Sequence, residues 1–171
     1  MNFMEVLCMR VFSVRKANNM NVSIHRCDWA EHSDIEREYH DHYWGIPVYD
    51  EQELFCMLML EGQQAGLSWK TILDKKEAIC EAFDNFLPEA LSNYDDEKIK
   101  ALLQNPKIIR NRLKIHAAIQ NANAYYRLCA EHGSLREYLW HFVDHKPIQN
   151  HWQTAAEVPV HTELSDRISK D

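Results

Sequence analysis

Glycine is scarce: four residues in 171 (Gly45, Gly62, Gly66 and Gly133), against about 7% in average usage. None falls at the spacing of a phosphate-cradling loop, so Walker and dinucleotide-binding glycine motifs are excluded. Long apolar runs are also missing. The longest, Leu54 to Leu60, is far short of the roughly 20 residues needed to cross a bilayer, so no membrane partner is expected. Net positive charge is absent too, with 19 Lys and Arg against 26 Asp and Glu for a net charge of −7. A polyanion could be held only by a locally basic surface. The five cysteines, Cys8, Cys27, Cys56, Cys80 and Cys129, are odd in number and widely spread. That is the usage of reduced thiols and not of a disulfide framework. Met1 to Val14 has the outline of a secretion signal, but Glu5 and Arg10 interrupt it and no small-residue cleavage site follows. A cytoplasmic protein is expected.

What is present is a helical pattern. Hydrophobic residues make up 46% of the chain, enough for a sizeable core. They recur at helical spacing, and no long alternating run marks a half-buried strand. The fold class is all-α. Ser33 or Asp34 can cap a short helix closed by Gly45 and Pro47, and Asp50 with Glu53 resembles a capping box ahead of Leu54. Gly62 and Gly66 bracket a turn, Ser68 caps the next helix, and Pro88 starts a short segment. Asp95 caps a helix over 96–104; Asn105-Pro106 then breaks the chain before a long helix over 108–131. Ser134 and Glu137 form a further box, residues 148–161 read as loop, and a last helix starts near Leu164. One compact unit is expected over 24–171, with a disordered tail over 1–23.

Three constellations could carry chemistry. In the hairpin after residue 104, Lys107, Arg110, Arg112 and Lys114 fall within eight residues that contain no acid. Backbone N–H groups at a helix start, flanked by cations, can hold a phosphate without reading sequence; a solvated helix face is the plain alternative. The stretch Leu60-Glu61-Gly62-Gln63-Gln64-Ala65-Gly66-Leu67-Ser68-Trp69 is a helix end, a polar turn and a new helix start. Glu61 follows an apolar face, and a buried carboxylate needs a partner or a function; a solvent-facing residue at a helix end is the alternative. Third, Cys27 and His40 could supply two ligands of a structural zinc site, although their separation fits no compact finger. The surrounding Trp29, Tyr39, Tyr43 and Trp44 either fill a core or form a platform on which a nucleobase stacks.

Taken together, Arg26-Cys27-Asp28-Trp29, Tyr39-His40-Asp41, Tyr43-Trp44-Gly45, Leu60 to Trp69 and Ile108-Ile109-Arg110-Asn111-Arg112 resemble the DNA-3-methyladenine glycosylase I family of helix-hairpin-helix DNA glycosylases. The likeness runs from about Ile24 to Asp171. It implies a monofunctional base-excision repair enzyme, a cytoplasmic bacterial monomer with no obligate protein partner, acting on alkylated double-stranded DNA. It implies that Glu61 is the catalytic residue that hydrogen-bonds the flipped base, that Tyr39, Trp69 and Trp29 bind the base, and that Leu67, Lys107, Arg110 and Arg112 contact DNA. A Schiff-base lyase role for Lys107 has no other support.

The same resemblance implies a structural zinc with Cys27 and His40 as its first two ligands, followed by a later His and Cys. No cysteine follows Cys129, and His141, His145, His151 and His161 precede the matching region. The expectation is a chain truncated at its C-terminal end, with an N-terminal tail over Met1 to Ser23 whose true start could be Met20. The alternative function is a catalytically impaired DNA-binding remnant of such an enzyme.

Overall fold

The computed structural model describes residues 26–150, 152 and 154–171. The tail expected over residues 1–23, and its boundary near residue 24, lie outside the described residues. Those described are helical, with no strand among them. Their contacts group them into two compact units, a finer division than the single unit expected.

The first unit combines residues 26–47 with 142–171. A short 3-10 turn, Asp28–Glu31, leads into α1, Asp34–His42. The Ser33 hydroxyl accepts the Glu36 N–H and so caps α1, which typically stabilises a helix start by about 1 kcal/mol. At the far end of the chain, α8, Glu163–Lys170, opens on a complete capping box between Thr162 and Ser165. Arg167 of α8 donates to the Phe142 carbonyl at 3.1 Å and stacks its guanidinium over the Phe142 ring.

The second unit, residues 48–141, holds α2, Glu51–Gln64; α3, Trp69–Ala82; α4, Pro88–Ser92; α5, Asp96–Gln104; α6, Arg112–His132; and α7, Leu135–His141. Its core is built from the apolar faces of these helices, with Phe55, Leu60, Ile72, Ile79, Phe83, Phe86, Leu91, Ile115 and Trp140 fully buried. Trp140 satisfies its indole N–H on the Val48 carbonyl at 3.0 Å and stacks on Tyr49. Asp50, Ser68 and Asp95 each accept an N–H three residues on, as their spacing predicts. Ser134 does the same for Glu137 at 3.0 Å.

One helix start differs from the sequence reading. The helix expected from residue 108 begins at Arg112, because Asn111 caps it by accepting the Leu113 and Lys114 N–H groups. Ile108 is buried in the preceding turn instead of opening the helix. The result is a seven-residue turn over 105–111 between α5 and α6.

Candidate active site and nucleic-acid interface

In the first unit the sequence places Cys27 just before the 3-10 turn, Trp29 on it, and Tyr39 and His40 side by side on α1. The fold brings these four together. Trp29 lies with its ring centroid 6.4 Å from Tyr39, 5.3 Å from His40 and 5.4 Å from Trp44. Tyr39 is buried, its hydroxyl oxygen shielded from solvent, and its ring is parallel to that of Tyr43. Trp44, to which the sequence reading gave no separate role, stacks on His40 at 5.3 Å.

His40 is oriented from both ring nitrogens. Its Nδ1 lies 3.1 Å from Asp41 Oδ1, and its Nε2 accepts the backbone N–H of Cys27 at 3.4 Å. This pair of contacts puts the ring proton on Nδ1 and leaves the Nε2 lone pair on the Cys27 side. Asp41 is fixed in turn by the Arg26 guanidinium at 2.8 to 3.0 Å, which holds its carboxyl below the usual range. Burial pushes the half-buried Cys27 thiol up. Among the described residues, no group of three or more His, Cys, Asp and Glu side chains is arranged to hold a metal ion.

In the second unit the stretch from Leu60 to Trp69 is the end of α2, a turn, and the first residue of α3. Glu61 is half-buried, with one carboxylate oxygen shielded from solvent. Gln63, two residues on, is only 3% exposed, and its Oε1 has no hydrogen-bond partner among the described residues. The turn closes by a 2.7 Å bond from the Leu67 N–H to the Gln64 carbonyl, across Gly66 at φ +78°. That left-handed conformation costs a residue with a Cβ roughly 1 to 2 kcal/mol, whereas a Cβ at Gly66 would meet nothing. The requirement is therefore one of backbone shape. It leaves Leu67 39% exposed at the tip and Trp69 buried at the start of α3, with the Trp69 indole nitrogen shielded from solvent.

The basic run lies on the turn 105–111 and the first residues of α6. Lys107, Arg110 and Arg112 are exposed, so three cations face solvent around a helix N-terminus. Lys114 does not join them. Its ammonium donates to the Gln63 and Ala65 carbonyls, each at 2.6 Å, and burial pulls its pKa down. Sequence reasoning counted Lys114 with the hairpin cations because nothing local separates it from its neighbours. A second link, from Lys75 of α3 to the Lys107 carbonyl at 3.0 Å, had no sequence signal at all. No described helix is long and apolar enough to cross a membrane.

Comparison with known proteins matches residues 29–171 to the family model described as methyladenine glycosylase. The DNA-3-methyladenine glycosylase of Haemophilus influenzae is 44% identical over 147 residues, covering 85% of this chain and 78% of that protein. DNA-3-methyladenine glycosylase 1 of Escherichia coli is 40% identical over 145 residues, with the same two coverages. A crystal structure of 3-methyladenine DNA glycosylase I superposes with a TM-score of 0.81 at 40% identity, over 85% of this chain and 80% of that one. A Staphylococcus aureus enzyme, solved to explain 3-methyladenine recognition, gives 0.81 at 37% identity over 84% and 77%. The chain belongs to the methyladenine glycosylase family.

Proposed function

We infer that the protein is a DNA-3-methyladenine glycosylase, a base-excision repair enzyme that hydrolyses the N-glycosidic bond of 3-methyladenine in alkylated duplex DNA. The observation that carries the reading is the stretch from Glu61 to Trp69, where one rigid turn joins a shielded carboxylate, an exposed leucine and a buried indole. Relatives named for this activity, at 40 to 44% identity, support it.

The substrate's own chemistry sets the demands on the protein. Adenine methylated at N3 is cationic, so the C1′–N9 bond is already weakened and the base leaves neutral, keeping the bonding electron pair. Water then adds its oxygen to the oxocarbenium-like C1′ and loses a proton. Strong acid catalysis is unnecessary; the protein must extrude the nucleotide and favour the charged base. Glu61 serves as an anionic acceptor for the exocyclic amine. Trp69 offers an aromatic face to a cationic ring, an attraction of about 2 kcal/mol when desolvated. Leu67 is the apolar probe that enters the duplex.

DNA is held through its backbone. Lys107, Arg110 and Arg112, on the turn and the first residue of α6, form the helix-hairpin-helix contact with phosphate. Cys27 and His40 would be two ligands of a structural zinc: a thiol and an imidazole are donors that zinc takes, Asp41 orients the His40 ring from Nδ1, and Nε2 would exchange the Cys27 backbone N–H for the metal. Bound zinc would cross-link segments distant in sequence and supply no reaction step. Metal analysis of the purified protein tests this, because zinc that survives both Cys27→Ser and His40→Gln excludes the pair as ligands. The enzyme acts as a monomer in the bacterial cytoplasm.

The experiment that tests the function is chromatography of the bases released from a methylated duplex. Free 3-methyladenine is the expected product, and a folded protein that binds the duplex yet releases none would refute the reading.

A further inference from the structure

Lys114 belongs to a basic run that faces solvent, yet its ammonium points into the protein. Both of its 2.6 Å bonds end at the C-terminus of α2, on the carbonyls of Gln63 and Ala65. The last carbonyls of a helix lack intrahelical donors and carry the negative end of its dipole. At Ala65 the chain has already left the helix (φ −44°, ψ 116°); the Leu67 N–H closes on the Gln64 carbonyl, while the ammonium takes those of Gln63 and Ala65. A compact ammonium with three donors meets the two carbonyls at once. From the other side, Lys75 of α3 holds the Lys107 carbonyl at 3.0 Å. The start of α6 is therefore tied to the end of α2, and the turn 105–111 that precedes it is tied to α3.

We propose that Lys114, assisted by Lys75, is a positioning residue that couples the seating of the 105–111 turn on a DNA backbone to the placement of Glu61 and Leu67. This rests on the functional reading above. The coupling needs no large motion. Arg112 lies two residues before Lys114, so a phosphate that fixes the start of α6 also fixes the ammonium that ends α2.

The test uses Lys114→Met, which keeps the stem and removes the donors. Binding to an undamaged duplex is measured across salt concentration, excision in single turnover, and amide exchange at residues 61–65 with and without undamaged duplex. Lys114→Met should keep the salt slope of the wild type, whereas Arg110→Ala and Arg112→Ala should each reduce it by about 1. Its excision rate should fall roughly 10- to 100-fold, and duplex should slow exchange at 61–65 in the wild type but not in the variant. A slope reduced by about 1 with unchanged excision would make Lys114 a phosphate contact and overturn the proposal. Equal duplex protection in both proteins would overturn it as well. Should wild type release no 3-methyladenine, the functional reading fails separately and the exchange measurement still decides the coupling. If Lys114→Met does not fold, Lys75→Met replaces it. A folded Lys75→Met protein with wild-type excision and protection would count against the proposal, and a smaller loss in both would support it.

Discussion

The Glu51 carboxylate accepts the Leu135 N–H at 2.8 Å through one oxygen, while its other oxygen takes the Arg136 N–H at 2.9 Å. The first residue of α2 thus caps α7 from 84 positions away, satisfying two donors that a helix start leaves open and placing negative charge at its positive end. Glu51→Ala leaves both N–H groups without this acceptor. It should lower unfolding stability by about 1 to 3 kcal/mol in urea titration; a loss under about 0.3 kcal/mol would show that water replaces the carboxylate.

Residues 84–86 form a turn in which three consecutive non-glycine residues are left-handed, with φ of 50°, 53° and 54°. It persists because Phe83 and Phe86 are buried against each other and Gln52 donates to the Asn85 and Phe86 carbonyls. Asn85 itself is exposed. Asn85→Gly should remove strain at no cost in packing and stabilise the protein by up to about 1 kcal/mol, read as a higher denaturation midpoint. Asn85→Val should do the opposite by at least as much.

Asp84 anchors the same turn. Lys98 Nζ at 2.8 Å and the Tyr94 hydroxyl at 2.6 Å hold its carboxyl below the usual range. A folded pKa below the unfolded value of about 3.9 means that the contribution is full above that value and is lost as pH falls through the folded pKa. Because the pair is partly exposed, its size is about 1 kcal/mol or less. The stability gap between wild type and Asp84→Asn should be constant from pH 5 to 7, to within about 0.3 kcal/mol, and close below about pH 4. A gap that widened with acid would contradict this.

Cys56 and Cys80 bring their sulfurs to 4.0 Å across α2 and α3. The Cys56 S–H, and then the Lys76 ammonium, draw the Cys80 thiol down to about 7, against the opposing effect of burial. Cys56 moves up. At neutral pH iodoacetamide should label Cys80 ahead of Cys56, as seen by peptide mass mapping. Cys56→Ala should shift the Cys80 labelling midpoint toward the ordinary thiol value of about 8.5.

Glu61→Gln keeps the shape of the side chain and removes its charge. If the carboxylate favours the cationic base, excision of 3-methyladenine should fall by roughly 10²-fold or more while affinity for undamaged duplex stays within about threefold. Loss of duplex affinity without a change in the single-turnover rate would move Glu61 out of the chemistry.

The sequence by itself determined where most helices start. Ser33, Asp50, Ser68, Asp95 and Ser134 each bond an N–H three residues on, an interaction contained in the local chain. The all-α class follows from the helical spacing of apolar residues, and the Leu60 to Trp69 stretch stands out in the sequence alone. The tertiary structure alone decided what distant chain segments do to one another. Helix α6 starts after Asn111 and not at residue 108, with Ile108 buried in the turn before it. Lys114 leaves the solvent-facing cations because two carbonyls 49 and 51 positions away hold its ammonium. Glu51 caps a helix it does not belong to. Caps and periodicity act within about one turn of chain and can be read directly, whereas these pairings exist only once the helices have packed.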